Sequence, residues 1–353
     1  MPLFHSPPRS LCILRLSAIG DVCNTIATVQ AIQAQWPNAQ ITWITGKLEA
    51  KLLEAIEGVE VIVFDKKAGW QGYRQLWRQL RGRKFDALLH MQYAIRASVA
   101  TLGIKARYRL GFDAARSQDL QTLFTNTKVP SPTSPHVADG LMAFAHTLGI
   151  KADTLSWSLS YSDQDLAWAQ QQLDPHKPNL VLVPAASKAY KNWSAEGYAE
   201  VIEHARQRGW NAVLAGSPAQ VERDLAENIQ AKLTEPCLNL VGESSLMQML
   251  ALIDKAQAVI APDTGPAHMA NAMQTPVIGL YAHHNPLRVG PYHYLDYVVS
   301  VYEEALHAET GKHSTELDWR TRVKDKQAMQ RITPQAVIEM FDKLVEDFYP
   351  SAS

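Results

Sequence analysis

The stretch from Val259 to Pro291 constrains the fold more than any other. It reads V-I-A-P-D-T-G-P-A-H-M-A-N-A-M-Q-T-P-V-I-G-L-Y, with G-P-Y a short way beyond. It implies a short apolar strand (Ala258–Ala261), a sharp turn, a helix and a second apolar strand (Val277–Tyr281). Asp263 stands where a helix N-cap would be, and Pro266 falls in the first turn, where a missing N–H costs nothing. Thr264 and Gly265 then offer free backbone N–H groups at a positive helix end, and glycine has no side chain to hold a ligand away. The combination suits a phosphate. His268 follows Gly265 by three positions and Thr264 by four, so the three share one helix face. These residues alone leave an alternative open, in which Asp263 only caps a helix and His268 is a core or surface histidine.

The same strand–turn–helix pattern opens the chain. Leu11–Leu16, L-C-I-L-R-L, is a buried-type strand that runs through S-A-I-G-D (Ser17–Asp21) into a helix from about Val22 to Trp36. Val22, Ile26, Val29 and Ile32 give that helix its apolar 3–4 spacing. There is one glycine in this turn where the dinucleotide fingerprint wants three, which weakens an NAD-binding reading. Asp21 lies at a strand's carboxyl end, where open α/β sheets place their ligands. A carboxylate there suits a general base, and equally a helix N-terminal acid that favours the dipole.

Strands at Ile41–Gly46, Val59–Phe64, Asp86–Met91 and Arg107–Phe112, with helices over Trp70–Arg83 and His136–Leu148, complete a first α/β domain. Residues 151–178 form the join. A second set begins at Asn179–Pro184 and the loop Ala185–Ser194, where Ser187, Lys188 and Lys191 offer hydroxyl and ammonium groups to a phosphate or make an ordinary polar loop. A strand at Trp210–Ala215, a helix through Lys232 carrying Glu222, a strand at Leu238–Val241 and a helix at Ser245–Lys255 lead to the opening stretch. Residues 303–330 are charged and poorly periodic and read as a surface excursion. Thr333–Pro334 caps a final helix to about Phe348. The expected fold class is α/β: two doubly wound domains, 1–165 and 175–330, with a ligand cleft between them, and a terminal segment 331–353.

The 353-residue length suits two such domains. No apolar run approaches the length of a membrane span, and the N-terminus M-P-L-F-H-S-P-P-R-S lacks a signal peptide's apolar core, which disfavours a periplasmic binding protein. Cys12, Cys23 and Cys237 fit neither a disulfide framework nor a zinc pattern, so a reducing cytoplasm is expected. Charge is uneven. Residues 1–165 carry 18 Lys and Arg against 13 Asp and Glu, and the remainder 16 against 22. Arg74, Arg78 and Arg81 fall at i, i+4, i+7 on one helix face, with Arg96, Lys105, Arg107, Arg109 and Arg116 nearby. This is a solvated face or a seat for an anionic partner. Aromatics interleaved at stacking spacing are lacking, which speaks against single-stranded nucleic acid.

Three motifs in order, S-A-I-G-D, K-A-Y-K-N-W and P-D-T-G-P-A-H…P-V-I-G-L-Y…G-P-Y, resemble glycosyltransferase family 9, the bacterial heptosyltransferases of lipopolysaccharide core synthesis. The resemblance covers nearly the whole chain. L-C-I-L-R-L-S-A-I-G-D-V-C and I-T-W-I-T-G-K-L-E-A look most like the heptosyltransferase I branch. The resemblance implies a GT-B architecture of two Rossmann-like domains facing a central cleft, the first holding acceptor and the second nucleotide sugar, with the final helix crossing back onto the first. It implies inverting transfer of a heptose from ADP-heptose to Kdo–lipid A, by a protein peripheral on the inner face of the inner membrane and without nucleic acid. Asp21 matches the family's catalytic carboxylate and Lys191 the lysine that meets the donor phosphates. Asp263, Thr264, Gly265 and His268 match the donor loop. Ser187 and Glu222 match a donor hydroxyl and the acid that reaches the ribose or heptose. The run A-S-K-A-Y-K departs from the family's T-T-R-D-D-K, so phosphate contacts rest more on Thr264 and Gly265. Arg74, Arg78, Arg81 and Arg116 become candidates for acceptor carboxylates and phosphates. No Asp-x-Asp sits in a turn that would hold Mg²⁺ or Mn²⁺, so no cofactor and no metal are expected. A later core acceptor, a nucleotide-sugar epimerase and a non-catalytic nucleotide-sugar binder are the competing readings.

Overall fold

The computed structural model describes residues 2–186 and 188–350. The chain divides between Ser160 and Tyr161 into two compact units. The first holds β1 (Ser10–Leu14), α1 (Ile19–Gln35), β2 (Gln40–Thr45), α2 (Glu49–Leu52), β3 (Val59–Val63), α3 (Gly69–Gln79), β4 (Phe85–His90), α4 (Ile95–Ala100), β5 (Ala106–Phe112), β6 (Thr127–Val129) and α5 (Val137–Leu148). Its strands are all parallel, in the order β3-β2-β1-β4-β5-β6. Parallel strands covered by helices on both faces bury every side chain, which explains the unbroken apolar run at β1. Leu11, Cys12, Ile13 and Leu14 have no exposure, with Ile13 opposite Trp43 and Leu89. Leu76 and Leu80 from the α3 region and Ala97 and Ala100 of α4 pack against Cys12, Leu14, Ile44 and Leu88.

The second unit holds α6 (Asp163–Gln172), β7 (Asn179–Leu182), α7 (Ala195–Gln207), β8 (Asn211–Gly216), α8 (Gln220–Gln230), β9 (Leu238–Val241), α9 (Leu246–Lys255), β10 (Ala258–Pro262), α10 (Gly265–Met273), β11 (Val277–Tyr281), α11 (Pro286–Val289), β12 (Val298–Ser300), α12 (Tyr302–Thr310) and α13 (Pro334–Phe348). Its sheet, β12-β11-β10-β7-β8-β9, is parallel throughout. Counted from its own first strand, it repeats the order of the first sheet. Both sheets therefore reverse direction between their first and fourth strands. That reversal opens a crevice at the strands' carboxyl ends, the usual ligand site of doubly wound sheets.

Val337, Phe341, Leu344 and Val345 of the final helix join the second unit's core with Trp210, Leu280 and Val299. Three expectations need correction. Residues 303–330 are not simply a surface excursion. Tyr302, Ala305 and Leu306 of α12, and Val323, Ala328 and Met329 beyond it, are buried in that core too. The helix carrying the basic stripe ends at Gln79, so Arg81 lies beyond its C-cap Leu80. That helix also carries an aromatic row. Trp70, Tyr73 and Trp77 pack on one another at centroid separations of 5.3 to 5.9 Å. The row is tied to α4, with Tyr73 Oη donating to Arg96 O (3.2 Å) and Trp77 Nε1 to Ala100 O (2.9 Å).

Around α4 the first unit exposes a group of large apolar side chains: Trp70, Ile95, Leu102, Leu120 and Leu123. The segments are held together by named bonds. Asp119 Oδ2 accepts from Ile95 N at 3.3 Å, and the Arg109 guanidinium donates to Thr101 O, Ile104 O and Phe124 O. Among the described residues no helix is long and apolar enough to cross a membrane.

Candidate active site

In the first unit the chain leaves β1 through Arg15, which is 4% exposed. A buried arginine needs partners. Its Nη2 lies 2.5 Å from Asp21 Oδ2, and its Nη1 donates to Met91 O beyond β4. Asp21 is the third residue of α1, and the same Oδ2 accepts from Ala18 N at 3.1 Å. All of these contacts fall on Oδ2. Oδ1 takes no hydrogen bond among the described residues, and the side chain is 40% exposed. The carboxylate is thus oriented from one side and open on the other, as a general base requires. Leu16 N and Ser17 N both donate to Gln92 Oε1, and Gln121 Nε2 donates to His90 O and Gln92 O. These bonds fix the loops on either side of the switch point between β1 and β4.

In the second unit the corresponding switch point lies between β7 and β10. Lys191 ends a one-turn 3-10 helix (Ala189–Lys191) in the loop after β7. Asn192 Oδ1 accepts from Ala186 N at 2.8 Å and closes that loop. Lys191 Nζ lies 2.7 Å from Asp263 Oδ2. His284, just past β11, places Nδ1 2.5 Å from the same oxygen and 3.3 Å from Lys191 Nζ. Burial favours the neutral acid of Asp263, but the His284 hydrogen bond and the Lys191 charge outweigh it and hold the carboxyl well below the usual range. Burial pushes His284 below its ordinary value, against the pull of Asp263.

Asp263 was expected to be the cap of α10. Thr264 holds the N-cap position instead, and no side chain caps the helix. The Asp263 carboxylate is committed to Lys191 and His284. Thr264 Oγ1 is buried with no hydrogen-bond partner among the described residues. Pro266 contributes no N–H to the first turn. An unpartnered hydroxyl and an uncapped helix N-terminus beside a lysine make a seat for an anion. His268, 6% exposed, lies one turn along α10. Glu222, in the first turn of α8, sits at the carboxyl end of β8. Its Oε2 accepts from Ser217 N (2.7 Å) and its Oε1 from Ser217 Oγ (2.5 Å). Ser187 lies outside the described residues.

The proposed acceptor arginines divide. Arg74, Arg78 and Arg81 are exposed. Arg116 is not: it is 5% exposed, and its guanidinium donates to Ser134 O and His136 O, clamping the segment that leads into α5. Sequence reasoning missed Arg15, Gln92 and His284. Arg15 carried a signal, since a charge ending an apolar strand must find a partner. The pair His283–His284 at the carboxyl end of a buried strand was another.

Two doubly wound domains, each with polar side chains gathered at its switch point, are the architecture of the GT-B class. Residues 73–320 match the family model for glycosyltransferase family 9 (heptosyltransferase). The lipopolysaccharide core heptosyltransferase OpsX of Haemophilus influenzae is 48% identical over 98% of this chain and 99% of its own. A family 9 glycosyl transferase from Veillonella parvula DSM 2008 shares the fold at a TM-score of 0.77, with 20% identity over 98% of this chain and 99% of that one. E. coli heptosyltransferase WaaC with ADP does so at 0.73, with 19% identity over 95% and 99%. The same enzyme with ADP-2-deoxy-2-fluoro heptose aligns at 0.69, with 18% identity over 95% and 99%. The chain belongs to glycosyltransferase family 9. It is a heptosyltransferase of lipopolysaccharide core synthesis.

Proposed function

We propose that the enzyme transfers L-glycero-D-manno-heptose from ADP-heptose to the Kdo of lipid A, with inversion and without a divalent metal. The observation that carries the donor side is the cluster at the second switch point: Lys191, Asp263 and the uncapped N-terminus of α10 with its orphaned Thr264 hydroxyl. The relative WaaC was solved with ADP and with a fluorinated ADP-heptose, which supports this donor class.

In the proposed step Asp21 Oδ1 takes the proton of the acceptor hydroxyl as its oxygen bonds to the anomeric carbon. The bond from that carbon to the diphosphate breaks, and its electron pair leaves on ADP. Base catalysis of this kind contributes about 10²–10⁴ in rate. Lys191 and the helix N–H groups stabilise the charge that develops on the leaving diphosphate, the work a metal ion does elsewhere. His268 and Glu222 belong to the donor's sugar and ribose end in this reading.

The acceptor is lipid-anchored and anionic. The exposed Arg74, Arg78 and Arg81, and the apolar group around α4, support a peripheral position on the inner face of the inner membrane. The test is transfer from ADP-heptose in EDTA to purified Kdo–lipid A, set beside the same acceptor already carrying its first heptose. Transfer to the first and not the second supports the reading. Transfer only to the second assigns a later core acceptor, and loss of activity in EDTA overturns metal independence.

A further inference from the structure

We propose that His284 is a proton-linked positioning residue of the donor seat, neutral when the seat is empty and protonated when a nucleotide sugar occupies it. This rests on the reading that the second unit binds ADP-heptose. His284 belongs to none of the motifs that carried the family resemblance.

The geometry fixes which ring nitrogen carries hydrogen in the empty seat. Asp263 Oδ2 receives both Lys191 Nζ (2.7 Å) and His284 Nδ1 (2.5 Å). An ammonium has no lone pair and a carboxylate has no proton to give. Nδ1 is therefore the nitrogen that carries hydrogen, and it donates to Asp263. Nε2 takes no hydrogen bond among the described residues. It is the position where a second proton can add without disturbing the bond to Asp263.

The charges facing the ring explain why the added proton waits for the ligand. Asp263, at the end of β10, favours it. Lys191 from the loop after β7 and Arg288 from α11 oppose it, as does burial. Tyr281 and His283, from the ring's own strand end, line a cavity of about 10 Å³ with Lys191, Asp263 and His284. That space holds about one water. In the empty seat Asp263 cancels Lys191, so the cluster is close to neutral. A sugar diphosphate brings two negative charges. The negative diphosphate favours the imidazolium that burial, Lys191 and Arg288 disfavour, and so raises His284 from below its ordinary value. The seat then gains a positive charge only when an anion is there to meet it.

Linkage makes this measurable. ADP-heptose is the probe, because its esterified diphosphate carries no group that titrates near neutrality. Its binding is followed by calorimetry at about pH 6.5 in buffers of different ionisation heat. The wild-type enzyme should take up on the order of half a proton per ligand, and its affinity should rise about threefold or more between pH 7.5 and pH 6. His284→Asn keeps an N–H donor near the place of Nδ1 but cannot titrate. It should show neither the uptake nor the pH slope, with its thermal melt confirming that it folds. Uptake or slope unchanged in His284→Asn overturns the proposal, as does their absence in the wild type. Wild-type protein that binds no ADP-heptose at any pH overturns the donor reading and this role with it.

Discussion

At the scale of single residues, two acid–base pairs are built in opposite ways. Arg15 is buried and Asp21 half-open, so the pair orients a carboxylate that still meets solvent. Lys191 and Asp263 are about equally covered, at 17% and 18% exposure, and they share their oxygen with His284. Removing Lys191 takes away the ammonium that meets Asp263. Lys191→Ala should lower kcat/KM for ADP-heptose by roughly 10²–10³, the usual cost of losing one charge-stabilising donor, measured by initial rates at low donor. Buried titration belongs to this scale too. His90 has no exposure, its Nε2 lies 2.9 Å from Ser98 Oγ, and burial holds it down to about 3. A depressed histidine leaves stability intact above its unfolded value near 6.5. That stability drains as pH falls from there toward the folded value, because the unfolded chain binds the proton first. Unfolding free energies from denaturant melts should therefore fall between about pH 6.5 and pH 3 in the wild type, by on the order of 3–5 kcal/mol at full extent. His90→Gln should flatten the fall.

At the scale of elements, the strands were legible because parallel strands buried on both faces leave unbroken apolar runs, as at Leu11–Leu14 and Ala258–Ala261. The elements that escaped reading have weaker signatures. β6 is three residues at a sheet edge, and α4 is six residues long. α12 packs through Tyr302, Ala305 and Leu306, a spacing hidden among Glu303, Glu304, Glu309 and their charged neighbours. The cap of α10 was misplaced by one residue because Asp263 is a good cap by type, and only its partners show that its carboxylate is committed elsewhere. The final helix was legible as amphipathic, but an apolar face does not say what it packs on. Phe341 has no exposure and meets Trp210 at 5.2 Å between centroids. Phe341→Ala should cost about 3–5 kcal/mol, read as a lower melting temperature. The exposed leucines near α4 make the opposite kind of element. Leu120 and Leu123 are 66% and 75% exposed, and Leu120 stands in the left-handed region at φ 59°. Replacing both with Ser should leave the melt unchanged and reduce sedimentation with anionic vesicles several-fold. Equal sedimentation would remove the apolar group from membrane contact.

At the scale of the whole molecule, the chain uses one topology twice. Each unit is a six-stranded parallel sheet whose strand order reverses between its first and fourth strands. The polar residues expected to do chemistry cluster at those two reversals: Asp21 after the first strand of one sheet, and Lys191 and Asp263 after the first and fourth of the other. That placement was readable in sequence, since a turn after an apolar strand marks a carboxyl end. The second layer was not, because Arg15, Gln92 and His284 acquire their roles only through partners distant in the chain. The proposed chemistry turns on the Asp21 carboxylate as the base of a heptosyl transfer. The most direct measurement is the rate of heptose transfer from saturating ADP-heptose to Kdo–lipid A by wild type and by Asp21→Asn, which keeps the side chain's shape and removes its basicity. The expected result is a loss of about 10²–10⁴ in kcat with ADP-heptose binding retained. A rate within tenfold of the wild type would contradict it.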